Sequence, residues 1–196
     1  MLKNLNEYEK GRTIVYFVRH GERIHIPNSP GLGFLIPGPG LTLKGKRQAI
    51  EVAKELSKIK NEVDGLYSSD MARAIETARE ISKKINKKPI IVNGISEFST
   101  DLWKRQIWGV KFWKNYLKLR RAIKVFDRLL EKNKGKVIVI VCHGNVIKAL
   151  TFRKMGLSLK RSGMFHNMNC NISIARYNGK KLDHVCCFNS NTVRHS

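Results

Sequence analysis

Two continuous apolar runs dominate the hydrophobic pattern of this chain. Residues 13–18 and 136–142 consist mostly of β-branched and aromatic residues without polar alternation, which is typical of strands buried on both faces of a sheet. Shorter runs at residues 63–67 and 89–92 predict two further strands. Segments of helical periodicity separate these strands, so the pattern predicts a largely parallel sheet that helices cover on both faces.

Apolar residues at helical spacing predict the helices. The first helix runs from Thr42 to about Ile59, with Thr42 as its N-cap, because a hydroxyl there can accept a hydrogen bond from a free amide of the first turn. A second helix at residues 71–85 follows a predicted cap at residues 68–70. Two further helices are predicted at residues 102–132 and 146–155. The chain is predicted to close with a β-hairpin that turns at Asn178-Gly179 and has its strands at residues 171–176 and 181–188.

The composition indicates one domain. With 196 residues, 42% of them hydrophobic, the chain is long enough for one packed core, so residues 1–196 are expected to form a single domain. No apolar run approaches the roughly 20 residues that span a bilayer, and residues 1–12 lack the apolar segment of a signal peptide. We therefore expect a soluble, cytoplasmic protein with no membrane partner.

The charge balance changes the expected surface. The chain has 38 Lys and Arg against 15 Asp and Glu, a formal charge of +23, and such a surface attracts anions and can hold nucleic acid non-specifically. The basic residues are spread along helical segments, which favours solvated helix faces over a specific nucleic-acid site. The 4 cysteines show no CxxC spacing, which favours buried thiols over a zinc site or disulfides.

Both continuous strands end in a histidine followed by a glycine. Arg19-His20-Gly21 follows the first strand and His143-Gly144 follows the second. Because ligands bind beyond the carboxyl ends of strands in open α/β sheets, two central parallel strands would bring His20 and His143 side by side. A glycine after each histidine allows the backbone to turn sharply and approach a ligand. The pair of motifs therefore predicts one shared site.

The motifs resemble those of the histidine phosphatase superfamily, the phosphoglycerate-mutase-like proteins. The resemblance covers nearly the whole chain, and more loosely includes Asn169 to Ile174 and residues 189–195. The motifs that carry it are, in order, Arg19-His20-Gly21-Glu22, Leu41-Thr42-xx-Gly45-xx-Gln48-Ala49, Tyr67-Ser68-Ser69-xxx-Arg73-Ala74-x-Glu76-Thr77-Ala78, Glu97 and His143-Gly144. The resemblance implies a three-layer α/β/α sandwich with a mostly parallel central sheet.

The resemblance also implies a metal-independent mechanism without a cofactor, through a phosphohistidine on His20. A neutral imidazole can attack phosphorus when a hydrogen bond fixes its tautomer. Arg19, Arg73 and His143 would hold the phosphoryl oxygens, since guanidinium groups match phosphate geometry. Glu97 would protonate the leaving oxygen and later activate water, a role that needs a carboxyl pKa raised toward the working pH.

Several of these roles have structural alternatives. Arg73 can instead form an exposed ion pair with Glu76 or Glu80, although the serine turn before it favours the phosphate site. Glu97 can be a solvated loop glutamate, since its position after a strand is its only local support. Ser68 can contact phosphate or cap the helix, and the cap is favoured.

Other residues near the motifs have less specific signals. The candidates for substrate contacts are Gly21, Glu22, Arg23 and Asn145. Thr42 and Glu76 match family positions, but structural roles as a helix cap and a helix-face residue are favoured. The remaining histidines are expected to have surface or packing roles: His25, His166, His184 and His195. Of these, His166 is the one that could approach the pocket.

The spacing of the motifs favours a hydrolytic reaction over a mutase reaction. Family mutases carry a longer insertion before the second His-Gly, whereas 45 residues separate Glu97 from His143 here. A phosphatase needs water to enter, while a mutase must enclose its phosphoenzyme. We expect a phosphatase acting on a phosphorylated small molecule or phosphoprotein. The alternatives are a cofactor-dependent phosphoglycerate mutase and a non-catalytic basic protein that binds phospho-ligands or nucleic acid.

The loop after the first motif departs from the family pattern. Residues 24–41 contain four of the 5 prolines and are otherwise largely apolar, whereas the family often has polar substrate-binding residues here. The loop can fold over the site as a lid, contact a partner or pack on the domain.

Overall fold

The two continuous apolar runs are neighbouring strands at the centre of a six-stranded sheet. The computed structural model describes residues 11–27, 37–98, 110–159, 162, 165 and 167–190. The strands are β1 (Thr13–Arg19), β2 (Val63–Ser69), β3 (Pro89–Val92), β4 (Val137–Cys142), β5 (Ile172–Asn178) and β6 (Lys181–Ser190). Their order across the sheet is β3-β2-β4-β1-β5-β6.

The sheet is largely parallel, as the pattern predicts. β1 pairs with β4, and β2 pairs with both β4 and β3, all in parallel, whereas β5 runs antiparallel to β1 and forms the closing hairpin with β6. Arg19 is in register with Cys142, so the residues that follow β1 and β4 leave the sheet at the same edge. This register fixes where the two His-Gly motifs meet.

Helices cover both faces of the sheet. They are α1 (Leu43–Leu56), α2 (Ala72–Ile85), α3 (Val110–Lys132) and α4 (Gly144–Lys154). Side chains alternate along β1, so Ile14, Tyr16 and Val18 pack with α1 and α2, while Val15 and Phe17 pack with α3 and α4. This arrangement confirms the three-layer α/β/α sandwich.

The observed helices differ from the predicted ones at three ends. Helix α1 ends at Leu56, and Ser57–Ile59 form a short 3₁₀ helix where the α-helix was expected to continue. Ser68 and Ser69 are the last residues of β2, and Met71 is the N-cap residue of α2 without a side-chain cap bond, so the predicted cap at residues 68–70 is wrong. The hydroxyl of Ser68 donates to the Ser69 carbonyl oxygen at 2.9 Å. Helix α4 begins directly at Gly144, earlier than the apolar pattern indicates, because His143 is its N-cap residue.

Some predictions fall outside the described residues, among them His166, His195 and residues 28–36 of the apolar loop. The described residues include all four cysteines, and none of them forms a disulfide; Cys142 and Cys170 are buried, as expected. In the part of the chain that the structure describes, no helix combines the length and the apolar character that crossing a membrane requires.

Candidate active site

The ends of β1 and β4 bring the two motif histidines together. The ring centroids of His20 and His143 lie 5.0 Å apart with an interplanar angle of 60°. Both side chains are buried, with exposed fractions of 3% and 0%. The two His-Gly motifs therefore meet at one site, as the sequence predicts.

Hydrogen bonds fix the tautomer of His20. Its Nδ1 lies 2.7 Å from the carbonyl oxygen of Gly21, which can only accept, so Nδ1 carries the proton. Its Nε2 is therefore unprotonated, and the lone pair of this atom accepts a hydrogen bond from Arg73 Nε at 3.1 Å. Burial, and next the positive charges of Arg73 and Arg19, hold the pKa of His20 well below its usual value. His20 is thus a neutral imidazole with Nε2 as its nucleophilic atom.

Arg73 reaches the site from the first turn of α2. Its side chain is 1% exposed, and its Nη2 contacts the Met71 sulfur at 3.3 Å. Burial lowers the pKa of Arg73 to about 10. The alternative ion pairs are not formed: Glu80 pairs with Lys83, and Glu76 accepts from the Leu41 amide.

Arg19 lies across the end of β1, next to the second motif. A Cβ at Gly144 would lie 3.4 Å from Arg19 Nε, an ordinary van der Waals distance, so the guanidinium packs beside this glycine. Arg19 donates from Nη1 to the carbonyl oxygen of Asn167. Burial lowers the pKa of Arg19, while the carboxylate of Glu97 opposes this shift.

His143 is held by a serine from β2. The His143 Nε2 lies 2.9 Å from Ser69 Oγ, and burial, followed by the neighbouring His20, lowers the pKa of His143 well below its usual value. Ser69 Oγ donates its one proton to the Asp70 carboxylate at 3.2 Å, so His143 Nε2 donates to this oxygen, and the hydroxyl links the imidazole to an acidic group. The sequence shows Ser69 only as part of a presumed helix cap, and its role beside His143 depends on β2 lying next to β4.

In the part of the chain that the structure describes, three ring or guanidinium nitrogens of the residues beside His20 are buried without a hydrogen-bond partner: Arg19 Nε, Arg73 Nη1 and His143 Nδ1. Leaving a buried polar group unpaired costs about 1–3 kcal/mol, and more when the group is charged. Such groups are rare in folded proteins, and each requires an explanation. Their convergence on two arginines and a histidine fits a site built to bind an oxyanion.

Glu97 joins this group from the segment after β3. One ligand atom from each of Glu97, His20 and His143 lies within 4.8 Å of the other two. Burial raises the pKa of Glu97 from its usual 4.5 to about 7, against the opposing effect of Arg73 and Arg19. Its carboxylate also accepts from the Phe98 amide at 3.2 Å. The half-buried Glu97 therefore is not a solvated loop residue.

Among the described residues, His20, Glu97 and His143 are also the group whose ligand atoms lie close enough together to bind a metal ion. Two histidines and a carboxylate can bind a transition metal. Here, however, the buried guanidinium groups of Arg19 and Arg73 are close enough to perturb all three groups, and Arg73 already donates to His20 Nε2. A divalent cation would be repelled by two positive charges, so the environment fits an anion far better than a metal.

The convergent groups open into a pocket of about 270 Å³. Three of the four candidates for substrate contacts line it: Glu22, Arg23 and Asn145. Glu22 and Asn145 are already anchored, since Glu22 Oε1 accepts from Thr42 Oγ1 at 2.9 Å and Asn145 Nδ2 donates to the Phe98 carbonyl at 2.9 Å. Arg23 is the lining cation that is not part of the buried group.

Gly21 packs closely against the first turns of α1. A Cβ at this position would overlap the carbonyl oxygen of Gly45 in the first turns of α1. The Gly21 amide donates to Thr77 Oγ1 at 3.1 Å, which ties the motif to α2. These contacts give Gly21 a packing role, and the expected ligand contact at Gly21 stays a prediction.

Asn169 is a lining residue that the sequence did not single out as part of the site. It lines the pocket, and its Nδ2 donates to the His20 carbonyl oxygen at 2.8 Å. The one feature of the sequence that could have indicated Asn169 is its place in the segment Asn169 to Ile174, which loosely resembles the family. That segment meets β1 through the Arg19 amide, which donates to the Asn171 carbonyl oxygen.

The structural assignments of the remaining matched residues are confirmed. Thr42 caps α1 by accepting from the Gly45 amide at 2.9 Å, and Glu76 accepts from the Leu41 amide at 2.9 Å, which fixes the end of the long loop. His25 and His184 are exposed, as expected for surface histidines.

Comparisons with known proteins agree with this geometry. The chain matches the description "Histidine phosphatase superfamily (branch 1)" over residues 15–111 and 118–189. It is 29% identical to phosphoglycerate mutase-like protein 4 of Arabidopsis thaliana in an alignment 166 residues long, with coverage of 69% of this chain and 68% of that protein.

Solved structures share the fold. A phosphoserine phosphatase from Entamoeba histolytica, in complex with phosphoserine, matches with a TM-score of 0.69 at 22% identity, over 91% of this chain and 97% of that one. A mycobacterial glucosyl-3-phosphoglycerate phosphatase matches with a TM-score of 0.74 at 18% identity, over 91% of this chain and 99% of that one. With the family match covering most of its length, the chain belongs to the histidine phosphatase superfamily.

Proposed function

We propose that this protein is a metal-independent phosphatase that hydrolyses phosphomonoesters through a phosphohistidine on His20. The observation that carries the proposal is the state of His20, whose Nδ1 proton is fixed on the Gly21 carbonyl while Nε2 keeps its lone pair. Its lowered pKa keeps this imidazole neutral and nucleophilic at physiological pH. The family and the related phosphatase structures support phosphatase activity in general.

The first step transfers the phosphoryl group to the enzyme. The lone pair of His20 Nε2 attacks phosphorus, and the bond from phosphorus to the leaving oxygen breaks. Negative charge on the phosphoryl oxygens would be met by Arg19 and Arg73, whose unpaired Nε and Nη1 groups are donors. Arg73 Nε, which donates to His20 Nε2 at 3.1 Å, can shift to a phosphoryl oxygen as the N–P bond forms.

His143 would supply a third donor once substrate binds. Burial and the surrounding cations disfavour its charged form in the free enzyme. A phosphate dianion beside it has the opposite effect, because a nearby opposite charge favours the protonated imidazole. Protonated His143 could then donate from Nδ1 to the phosphoryl group, while Nε2 stays bonded to Ser69 Oγ at 2.9 Å.

Glu97 would move the protons of both steps. With a pKa of about 7, its carboxyl group is protonated in a large fraction of molecules at neutral pH and can protonate the leaving oxygen. The resulting carboxylate then takes a proton from water, whose oxygen attacks phosphorus and breaks the N–P bond. This returns His20 and Glu97 to their starting states and releases inorganic phosphate.

The substrate would be a phosphorylated small molecule or a phosphoprotein side chain. A pocket of about 270 Å³ with Arg23 and Asn145 on its lining fits a compact polar group beyond the phosphate. The related structures include a phosphatase of phosphoserine and one of glucosyl-3-phosphoglycerate. These compounds therefore belong in the first substrate panel.

The test is turnover of p-nitrophenyl phosphate and a phosphomonoester panel in EDTA by the wild type, His20→Ala and the matched control His25→Ala. We expect turnover by the wild type and by His25→Ala, whose imidazole is exposed, and none by His20→Ala. Interconversion of phosphoglycerates that needs a bisphosphate primer would indicate a mutase instead. A folded wild type without turnover on the whole panel would indicate a non-catalytic phospho-ligand binder.

A further inference from the structure

The outer face of α3 carries a cationic groove that is separate from the pocket beside His20, which we call the phosphate pocket. The groove has a volume of about 460 Å³. The described residues that line it are Asn93, Leu117, Arg120, Arg121, Lys124, Val125 and Arg128. Four of these seven are basic and none is acidic. We call this surface the α3 groove.

The charges of the α3 groove are not neutralised within the described chain. Other basic helix residues have acidic partners one turn away, as in Lys54 with Glu51 and Lys58 with Glu55. The two acidic residues of α3 are both engaged elsewhere, Asp127 with Lys154 and Glu131 with Lys180. No ion pair is formed by the four groove cations in the part of the chain that the structure describes. The groove thus has a local excess of positive charge.

This arrangement is unfavourable for the helix alone. Arg120, Lys124 and Arg128 are spaced four residues apart, which places like charges one above the other on the same helix face. Arg121 packs beside Gly94, where a Cβ would lie 2.9 Å from its Nε. A polyanion in the groove would remove this repulsion.

Exposed aromatic residues continue the same face toward the start of α3. Trp113 is 60% exposed and Tyr116 37% exposed, and their rings lie 5.9 Å apart in an edge-on contact. Arg120 lies over the Tyr116 ring at 6.0 Å. From Trp113 to Arg128 the helix rises about 22 Å at 1.5 Å per residue. A linear stripe of this length favours a linear ligand over a small anion.

We propose that the α3 groove binds single-stranded nucleic acid, with its phosphates along Arg120, Lys124 and Arg128 and a base stacked on Trp113. Grooves that bind single strands combine basic side chains along the backbone with aromatic platforms for bases. The helix rises about 6 Å from one of these three positions to the next, which is comparable to the separation of neighbouring phosphates in a single strand. The inference stands apart from the proposed phosphatase activity, since the α3 groove and the phosphate pocket share no lining residue.

The test measures fluorescence anisotropy of a fluorescein-labelled 12-nucleotide RNA of mixed sequence over a range of KCl concentrations. The groove variant is Arg120→Gln/Lys124→Gln/Arg128→Gln. Its matched control, Arg47→Gln/Arg79→Gln/Lys84→Gln, removes the same charge from exposed positions on the helices of the opposite sheet face. Turnover of p-nitrophenyl phosphate, or circular dichroism if there is none, confirms that both variants are folded.

Losing three phosphate contacts lowers the slope of log K against log[salt] by about 2, since each contact contributes about 0.7 for single strands. At 0.1 M salt this corresponds to about 100-fold weaker binding if the affinities converge at 1 M. We expect that loss in the groove variant, less than threefold in the control, and about tenfold in Trp113→Ala.

Three results would overturn the proposal. Equal weakening in the groove variant and the control would mean that binding is spread over the whole basic surface. Unchanged binding in the groove variant would place the RNA elsewhere. Competition by polyglutamate as strong as that by the unlabelled RNA would identify a site for acidic protein segments.

Discussion

Glu97→Gln tests how burial sets the chemistry of the site. The pKa of Glu97 rises from 4.5 to about 7 because burial disfavours the carboxylate. A group that binds its proton more tightly in the folded state makes the protein less stable as pH rises from the unfolded toward the folded pKa. At about 1.4 kcal/mol per pKa unit, the difference between the folded and the unfolded pKa of Glu97 lowers the free energy of unfolding by about 3 kcal/mol once the pH exceeds 7.

Glutamine has the shape of the protonated carboxyl group and cannot ionise. We therefore expect Glu97→Gln to match the stability of the wild type near pH 4.5 and to exceed it by up to about 3 kcal/mol at pH 8. Urea unfolding followed by circular dichroism at several pH values measures this difference. A stability difference that stays constant between pH 4.5 and 8 would refute the inferred pKa.

The same variant should lose activity in a way that depends on the leaving group. General acid catalysis contributes about 10²–10⁴-fold, so hydrolysis of an alkyl phosphate should fall by that factor in Glu97→Gln. Phosphoryl transfer from p-nitrophenyl phosphate should fall much less, because nitrophenolate leaves without a proton. For the wild type, kcat/KM on the alkyl ester should decline above about pH 7. Because Glu97 would also activate water in the second step, the comparison uses kcat/KM, which reports phosphoryl transfer. Equal losses of kcat/KM on both substrates would contradict a proton-donor role.

Three further substitutions test individual contacts. Arg73→Lys keeps the charge but loses the planar donor group, so kcat should fall about 10²-fold or more in a steady-state assay, and near-wild-type activity would mean that charge alone suffices. Gly21→Ala places a methyl group against Gly45 and should cost about 1–3 kcal/mol in chemical unfolding, whereas an unchanged midpoint would contradict the observed packing. Thr42→Ala removes the α1 cap and should cost about 1 kcal/mol, while Thr42→Ser should restore most of it.

The sequence contains enough information to locate the centre of this site. The buried strands β1 and β4 are readable as continuous apolar runs, and their identical His-Gly ends predict the contact between His20 and His143. Arg73 and Glu97 required the family resemblance, because no local spacing indicates that a helix start and a loop converge on the same point. The single-domain and cytoplasmic expectations stay predictions.

Other features depend on contacts between distant segments and were missed for that reason. Ser69 looked like part of a cap, but its partner is His143, 74 residues away in sequence. Position 21 leaves no space for a side chain, because α1 places Gly45 directly beside it. The α3 groove is similarly hidden in the sequence, since the engagement of Asp127 by Lys154 is known only from the packing of α3 against α4 and the hairpin.

The proposed mechanism depends on a covalent phosphohistidine at His20. The direct measurement is rapid quenching of wild-type enzyme with a ³²P-labelled substrate, followed by mass spectrometry of the labelled peptide. We expect an acid-labile, base-stable phosphate on the imidazole of His20, formed within the first turnover and absent from His20→Ala. Turnover with no phosphoenzyme at any time, or with the label on another residue, would contradict the account.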